Sequence, residues 1–177
     1  MRPFAGIVIA LLLVAGTMIV SAEGQVPTTA SAELKDTSGR VVGNALLTAV
    51  GGGVVRVQVW AGGLPPGMHG IHVHTTGACT PDFNAAGGHF NPEGAQHGLE
   101  NPAGPHAGDL PALQVGPDGN GTFDALNPRI GLNGGLRSLF DADGSALIIH
   151  ANPDDQVTDP TGNSGGRIVC GVITALP

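Results

Sequence analysis

Beyond residue 22, apolar and polar residues alternate in short runs, and no long run has the spacing of a helix. In VVRVQVWAG (54–62), valines at every second position share one face, while Arg56, Gln58 and Trp60 share the other. Comparable runs, separated by turn residues, lie at 32–36, 41–50, 69–74, 110–127, 145–151 and 167–175. Segment 110–127 holds two of them, around the turn signal Asp118-Gly119. The pattern predicts about eight strands and therefore an all-β sandwich or barrel.

Two long segments, 75–109 and 151–166, lack the short strand-like runs found in the rest of the domain. The first is rich in Gly, Pro, Asn and His. Irregular loops of this length are uncommon in a compact domain and are usually functional. We therefore expect one β domain that carries two long functional loops.

The first 22 residues have the layout of a secretory signal peptide. Arg2 precedes a long apolar run, and Val20 and Ala22 suit a small-residue cleavage site. A retained membrane anchor is the alternative for a run of this length. No second such run follows, so the mature chain is expected to be soluble in the periplasm, at the cell surface or in the medium. We expect residues 1–22 to be the signal peptide, residues 23–31 a flexible leader and residues 32–177 one domain.

Charge and cysteine content narrow the class of protein further. The formal net charge is −7 at pH 7, and loss of Arg2 with the signal peptide makes it one unit more negative. An acidic protein does not suit nucleic acid or an anionic membrane surface as a partner. Cys79 and Cys170 are the only cysteines, and an even count in an exported protein favours a disulfide. Metal ligation by these two isolated cysteines is the weaker alternative.

Three of the seven histidines lie in HGIHVH, at residues 69–74. On a strand, His72 and His74 point to the same face, within reach of one ion, and His69 points to the other. We therefore expect His69 to have a packing or hydrogen-bonding role. Further candidate ligands lie in the first long segment and at the end of a later strand: His89, His97, His106, Asp109 and His150. Imidazole and carboxylate donors suit Zn²⁺, and a bound ion would order a loop poor in apolar residues.

Five stretches of the chain resemble the copper/zinc superoxide dismutases. They are GMHGIHVH (67–74), GGHFNPEGAQHG (87–98), HAGDL (106–110), LIIHA (147–151) and TGNSGGRIVCGVI (161–173). They lie in the family's order across most of 60–175. The resemblance implies an eight-stranded antiparallel Greek-key barrel that binds one copper and one zinc per subunit. The implied activity is the disproportionation of superoxide to O₂ and H₂O₂ through alternate reduction and reoxidation of copper.

The resemblance also assigns roles to individual residues. It implies copper ligands at His72, His74, His89 and His150, and zinc ligands at His89, His97, His106 and Asp109. His89 would bridge the two metals and take up a proton during the reaction. Arg167 would attract and orient the substrate anion, and Asp154 would link a copper ligand to a zinc ligand. Cys79 and Cys170 would form the family's intramolecular disulfide.

The chain departs from the familiar eukaryotic members in two places. Segment 151–166 is shorter and carries Asp154, Asp155 and Asp159 but no lysine, so steering of the anion is expected to depend on copper and Arg167. The longer spacing between Cys79 and the bridging histidine leaves the oligomeric state open, including a homodimer.

Two alternatives to this function share the same scaffold. A non-catalytic metal-binding or copper-delivery domain is disfavoured because the chain has all four copper ligands of the family and also the family's arginine, at Arg167. A copper-only dismutase is disfavoured because His97, His106 and Asp109 are all present.

Overall fold

The computed structural model describes residues 28–177, and these residues form an all-β domain, as the alternating pattern predicts. The described strands are β1 (Thr29–Asp36), β2 (Val41–Gly51), β3 (Val54–Ala61), β4 (Gly67–His69), β5 (Ile71–His74), β6 (Leu113–Val115), β7 (Gly121–Asn127), β8 (Ala146–His150), β9 (Arg167–Val172) and β10 (Thr174–Ala175). One 3₁₀ helix, Phe83–Ala86, lies between β5 and β6. Among residues 28–177, no helix has the length and apolar character needed to cross a membrane.

The strands form one nearly closed antiparallel barrel. Their order is β4-β6-β7-β3-β2-β1-β9-β8-β5, with β10 paired to β1. The two ends of this order are consecutive in sequence, because Gly70 alone separates β4 from β5. If β4 with β5 and β9 with β10 are each counted as one interrupted strand, the barrel has the eight strands that the sequence predicts.

The connections make the barrel a Greek key. Segment 62–66 leads from β3 past β7 and β6 to β4. Segment 128–145 carries the chain from β7 to β8 across the seam, past β6 and the interrupted strand β4–β5. The alternation in β3 is confirmed, since Val55, Val57 and Val59 are at most 2% exposed and Arg56 is exposed. These valines pack in the barrel interior with apolar residues from the other strands.

Gly70 closes the barrel seam. Its amide donates to the carbonyl oxygen of Asn152, and the amide of His150 donates to the carbonyl oxygen of Gly70. A Cβ at Gly70 would lie 2.7 Å from the Cβ of Ser164, so a larger residue does not fit. The seam therefore holds the end of β8 against the start of β5.

Three features differ from the sequence-based expectations. β1 begins at Thr29, three residues before the predicted domain start, because Ala30 is buried and pairs with Leu47 of β2. The predicted signal peptide and residues 23–27 of the predicted leader lie outside the described residues. A third long connection, 128–145, was not predicted, since its buried Ile130 and Leu139 lack the spacing of a strand. The 3₁₀ helix was also not predicted.

Candidate metal centre

Strand β5 divides its side chains between two environments. Ile71 and Val73 point into the barrel core, while His72 and His74 point away from it. The edge of β5 that does not pair with β8 binds the first long loop, because Val73 donates to the Gly108 carbonyl and accepts from the Phe90 amide. The loop therefore covers the outer face of β5, and both histidines are fully buried.

A first cluster consists of four imidazoles. The candidate ligand nitrogens of His72, His74, His89 and His150 lie within 4.8 Å of one another. His72 Nδ1 and the Nε2 atoms of the other three are buried and have no hydrogen-bond partner. Buried polar atoms in proteins nearly always have a partner. Four such nitrogens that converge on one point therefore fit a metal ion that accepts their lone pairs.

The opposite ring nitrogens fix the orientation of these imidazoles. His72 Nε2 donates to Asp154 Oδ2 over 2.5 Å. His74 Nδ1 donates to the Gly87 carbonyl over 3.0 Å, and His150 Nδ1 donates to the Gly165 carbonyl over 3.1 Å. A neutral imidazole that donates from one nitrogen presents a lone pair at the other. The cluster is therefore arranged for ligation before any ion binds.

Burial keeps the first cluster neutral. It lowers the pKa of His72 to about 3, despite the hydrogen bond to Asp154. It also lowers the pKa of His74 to about 2 and that of His150 to about 4, and repulsion from a protonated His89 would add to both shifts. Near neutral pH these rings carry no proton at the converging nitrogens that a metal would have to displace.

A second cluster surrounds the carboxylate of Asp109. Its Oδ1 lies 3.0 Å from Nδ1 of His89, 3.0 Å from Nδ1 of His97 and 3.5 Å from Nδ1 of His106. Its Oδ2 accepts from the backbone amides of Gly98 and His106, each over 2.9 Å. Three imidazole nitrogens and one carboxylate form the tetrahedral donor set that suits Zn²⁺.

His72 also lies close to this second cluster, since its ligand atom is within 4.8 Å of those of His89, His97 and Asp109. We assign His72 to the first cluster because its Nε2 is bound by Asp154 and its Nδ1 is one of the unpartnered nitrogens. His106 belongs to the second cluster because its Nδ1 lies 3.4 Å from Nδ1 of His89.

Two residues join the clusters. His89 directs its unpartnered Nε2 to the first cluster and its Nδ1 to the second. Asp154 accepts a hydrogen bond from His72 Nε2 at Oδ2 and one from His97 Nε2 at Oδ1, the latter over 3.0 Å. A displacement of either residue would therefore disturb both clusters.

The carboxylates dominate the charge state of the second cluster in the absence of metal. Burial opposes the protonated form of His97, but its hydrogen bonds to Asp109 and Asp154 raise its pKa to about 9. Burial likewise opposes the ionised carboxylates, yet hydrogen bonds from the surrounding histidines hold the pKa of Asp109 and of Asp154 well below the usual range. Both carboxylates are therefore ionised, so that Asp109 can bind a cation and Asp154 can accept hydrogen bonds from the two rings.

Arg167 lies at the mouth of the first cluster. Its guanidinium donates to the carbonyl oxygens of Phe83 and Gly87, each over 2.6 Å. It lines a cavity of about 480 Å³ together with His74, His89 and His150. The structure thus places a fixed positive charge beside the converging nitrogens, in a cavity that a small anion can enter.

The predicted disulfide between Cys79 and Cys170 is confirmed, with 5.9 Å between the Cα atoms and a sequence separation of 91. It ties the first long loop to β9. The loop includes Gly87, whose carbonyl oxygen accepts hydrogen bonds from both His74 and Arg167. The bridge therefore supports the wall of the site as well as the fold.

The structure brings together all the residues that the sequence analysis proposed as ligands, as well as Arg167 and Asp154. His69 is not among them: its Nδ1 lies 2.7 Å from the His150 carbonyl and its Nε2 lies 2.8 Å from the Pro65 carbonyl. The expected hydrogen-bonding role of His69 is thus confirmed. Sequence reasoning gave no role to Gly162, where a Cβ would collide with Asp154 Oδ1 and His97 Nε2. The available signals were its position in the acidic loop 151–166 and in the stretch TGNSGGRIVCGVI (161–173), which resembles the family.

Comparisons with known proteins agree with this geometry. The sequence model of the family described as copper/zinc superoxide dismutase (SODC) matches residues 41–173. Superoxide dismutase [Cu-Zn] 2 of Aquifex aeolicus is 45% identical over 165 residues, which cover 92% of this chain and 96% of that protein. Superoxide dismutase [Cu-Zn] of Caulobacter vibrioides is 41% identical over 148 residues, 81% of this chain and 84% of that protein. The crystal structure of a SOD-like protein from Bacillus subtilis superposes with a TM-score of 0.76 at 42% identity, over 80% of this chain and 96% of that chain.

Proposed function

Because this chain belongs to the copper/zinc superoxide dismutase family, we propose that its two joined clusters are the site at which it disproportionates superoxide. The protein is an oxidoreductase that acts on superoxide, with copper and zinc as cofactors. The observation that carries the proposal is the convergence of four buried, unpartnered imidazole nitrogens on one point. A non-catalytic metal-binding domain on the same scaffold is not favoured, because such a domain would not need this complete set beside a fixed arginine.

We assign copper to the first cluster, with ligands His72, His74, His89 and His150. Imidazole nitrogens suit copper, and His89 can serve both metals because its two ring nitrogens face the two clusters. We assign zinc to the second cluster, with ligands His89, His97, His106 and Asp109. The nitrogen and oxygen donors around Asp109 support this assignment.

When bound, copper supplies the one-electron chemistry of dismutation, whereas zinc has no accessible redox change. The protein's own residues supply binding, orientation and a proton. Arg167 attracts the superoxide anion and orients it in the cavity, while Asp154 and the carbonyls of Gly87 and Gly165 hold the imidazoles in place. His89 Nε2, at times when it does not ligate copper, would carry one of the two protons that convert two superoxide anions to O₂ and H₂O₂.

A metal titration tests this function. Copper added to the zinc-loaded protein is expected to generate dismutase activity in proportion to copper, with saturation at one equivalent per chain. Zinc alone is expected to give no activity, because it cannot change oxidation state. Tight binding of one copper without any dismutase activity would favour the non-catalytic alternative instead.

Gly162→Ala is expected to weaken the binding of both metals about 10–100-fold, the usual effect of losing an outer-shell partner of a metal ligand. The added Cβ would displace Asp154 and His97, and Gly162 has a φ of +60° that other residues rarely adopt. Gly166→Ala is the matched control, because a Cβ there meets nothing within 4 Å. Competition with a chelator measures both affinities, and equal affinities in the two variants would contradict the role of Gly162.

Arg167→Gln is expected to lower the second-order rate about tenfold without loss of either metal, because a focused positive charge raises capture of an anion by about 10–1,000-fold. Arg56→Gln serves as the control, since Arg56 is exposed and pairs with Asp124 on the outer surface of the sheet. The rate is measured at saturating metal by rapid decay of superoxide. An unchanged rate for Arg167→Gln would exclude this residue from substrate capture.

Added salt is expected to slow the reaction less than in a relative guided by lysines. Loop 151–166 has three aspartates and no lysine, so steering rests on charges close to the metal, where screening by salt is weak. The rate is measured over a range of ionic strength. A steep fall would mean that more distant positive charges guide the substrate.

We also propose that residues 1–22 are a cleaved signal peptide and that the catalytic domain begins at Thr29. The Cys79–Cys170 disulfide supports an exported protein, because such bonds persist in oxidising compartments. Assembly as a homodimer stays a prediction. Mass measurement of the mature protein tests the cleavage, and retention of the first 22 residues would contradict it.

A further inference from the structure

The six candidate ligand histidines each have a second ring nitrogen, and five of these nitrogens have a partner. Their partners are Asp154 for His72 and His97, the Gly87 carbonyl for His74, the Gly165 carbonyl for His150, and the second cluster for His89. Metal-bound imidazoles almost always donate from the second nitrogen to an acceptor, which fixes the ring and strengthens the ligand. His106 Nε2 is the exception, with no hydrogen bond among the described residues.

The carboxylate that faces His106 Nε2 belongs to Asp159. Its Oδ1 lies 3.6 Å from His106 Nε2, beyond a hydrogen bond but within the range of an ion pair. The same Oδ1 accepts from the backbone amide of His97 over 2.6 Å. The Asp159 side chain is 45% exposed, so it has room to approach His106. One carboxylate thus contacts two of the proposed zinc ligands.

We propose that Asp159 is a positioning residue for zinc, which accepts from His106 Nε2 when His106 Nδ1 ligates the ion. This inference rests on the zinc site of the proposed function and extends it to the second long loop. Coordination makes the remaining N–H of an imidazole a better donor, which favours a closer contact with the carboxylate. Asp159 then fixes the ring of His106 and the backbone of His97 at the same time.

The proposal also explains the acidic character of loop 151–166. Asp154 binds the rings of His72 and His97, and Asp155 accepts from the amides of Val157 and Thr158 within the loop. Asp159 is the remaining acid of this loop, and the resemblance to the family assigns it no role. Two of the three acids thus contact proposed zinc ligands, and the loop has no lysine that could steer the anion.

Zinc affinity of three variants tests the proposal. Zn²⁺ is added to the metal-free protein in competition with a chelator, so the readout does not depend on dismutase activity. Asp159→Ala is expected to bind zinc about 10–100-fold more weakly than the native chain. Asp159→Asn keeps an acceptor oxygen and is expected to recover most of this loss. Asp155→Ala is the matched control, because it removes hydrogen bonds within the same loop without touching a zinc ligand.

A spectrum distinguishes positioning from general loosening of the loop. Co²⁺ in the zinc site has visible absorption bands that respond to ligand geometry, and these are expected to shift in Asp159→Ala but not in Asp155→Ala. Equal zinc affinity in the native chain and Asp159→Ala would overturn the proposal, and so would an equal loss in Asp155→Ala. Either result leaves the proposed function intact if the native chain still binds zinc. Failure of the native chain to bind zinc would overturn both.

Discussion

His150→Ala is expected to remove tightly bound copper and to lower dismutation by more than about 100-fold. Loss of an outer-shell partner of a metal ligand already costs about 10–100-fold, and His150 Nε2 is one of the four converging nitrogens themselves. The substitution also opens the site to solvent at the end of β8. Copper content and superoxide decay, measured on the same zinc-loaded preparation, check the expectation.

His106→Ala provides the contrast for this experiment. It removes a ligand of the second cluster and leaves the four nitrogens of the first cluster in place. We expect it to lose zinc and to keep copper binding, whereas His150→Ala should do the reverse. Circular dichroism establishes that both variants fold. Activity that survives His150→Ala in a folded protein would remove His150 from the catalytic site.

Loss of the disulfide is expected to lower the free energy of unfolding of the metal-free protein by about 4–5 kcal/mol. The bond joins cysteines 91 residues apart, and closure of so long a loop restricts the unfolded chain strongly. Cys79→Ala with Cys170→Ala is the appropriate variant, because Cys170 packs in a small apolar cluster with Ala86, Ala146 and Ile148. Urea unfolding of both proteins without metal measures the difference.

Reducing agent provides the control for the disulfide variant. It should destabilise the native protein by a similar amount and leave the double alanine variant unchanged. The variant should also bind copper more weakly, because the first long loop supplies the Gly87 carbonyl that orients His74. A loss of less than about 1 kcal/mol would mean that contacts of the loop, rather than the bond, hold it to the barrel.

Short β-type runs bounded by turn residues were sufficient to predict most of the strands. Val55, Val57 and Val59 alternate with Arg56, Gln58 and the exposed Trp60 in β3. Most other strands were located within a few residues as short runs between turn residues. The closure of the barrel was not predictable in this way, because it depends on the packing of Gly70 against Ser164. Segment 128–145 was missed because its apolar residues reach the core from an irregular connection.

The candidate site, like the fold, could be predicted only in part from the sequence. The spacing of His72 and His74 was enough to place both side chains on one face of a strand. No periodicity relates these residues to His89 or His150. The position of His150 at the end of a strand made it a candidate partner for both, and the resemblance to a family implied the complete set. Asp159 could not be distinguished from Asp155 by sequence, because both are acids in a turn-rich loop and only the fold brings Asp159 to His106.

The most direct test of the account is the metal content and dismutase activity of the purified native protein, determined on one sample. We expect one copper and one zinc per chain, with activity that disappears when copper is removed and returns when copper alone is restored. A protein that holds zinc but no tightly bound copper, or that binds both metals without dismutase activity, would contradict the account.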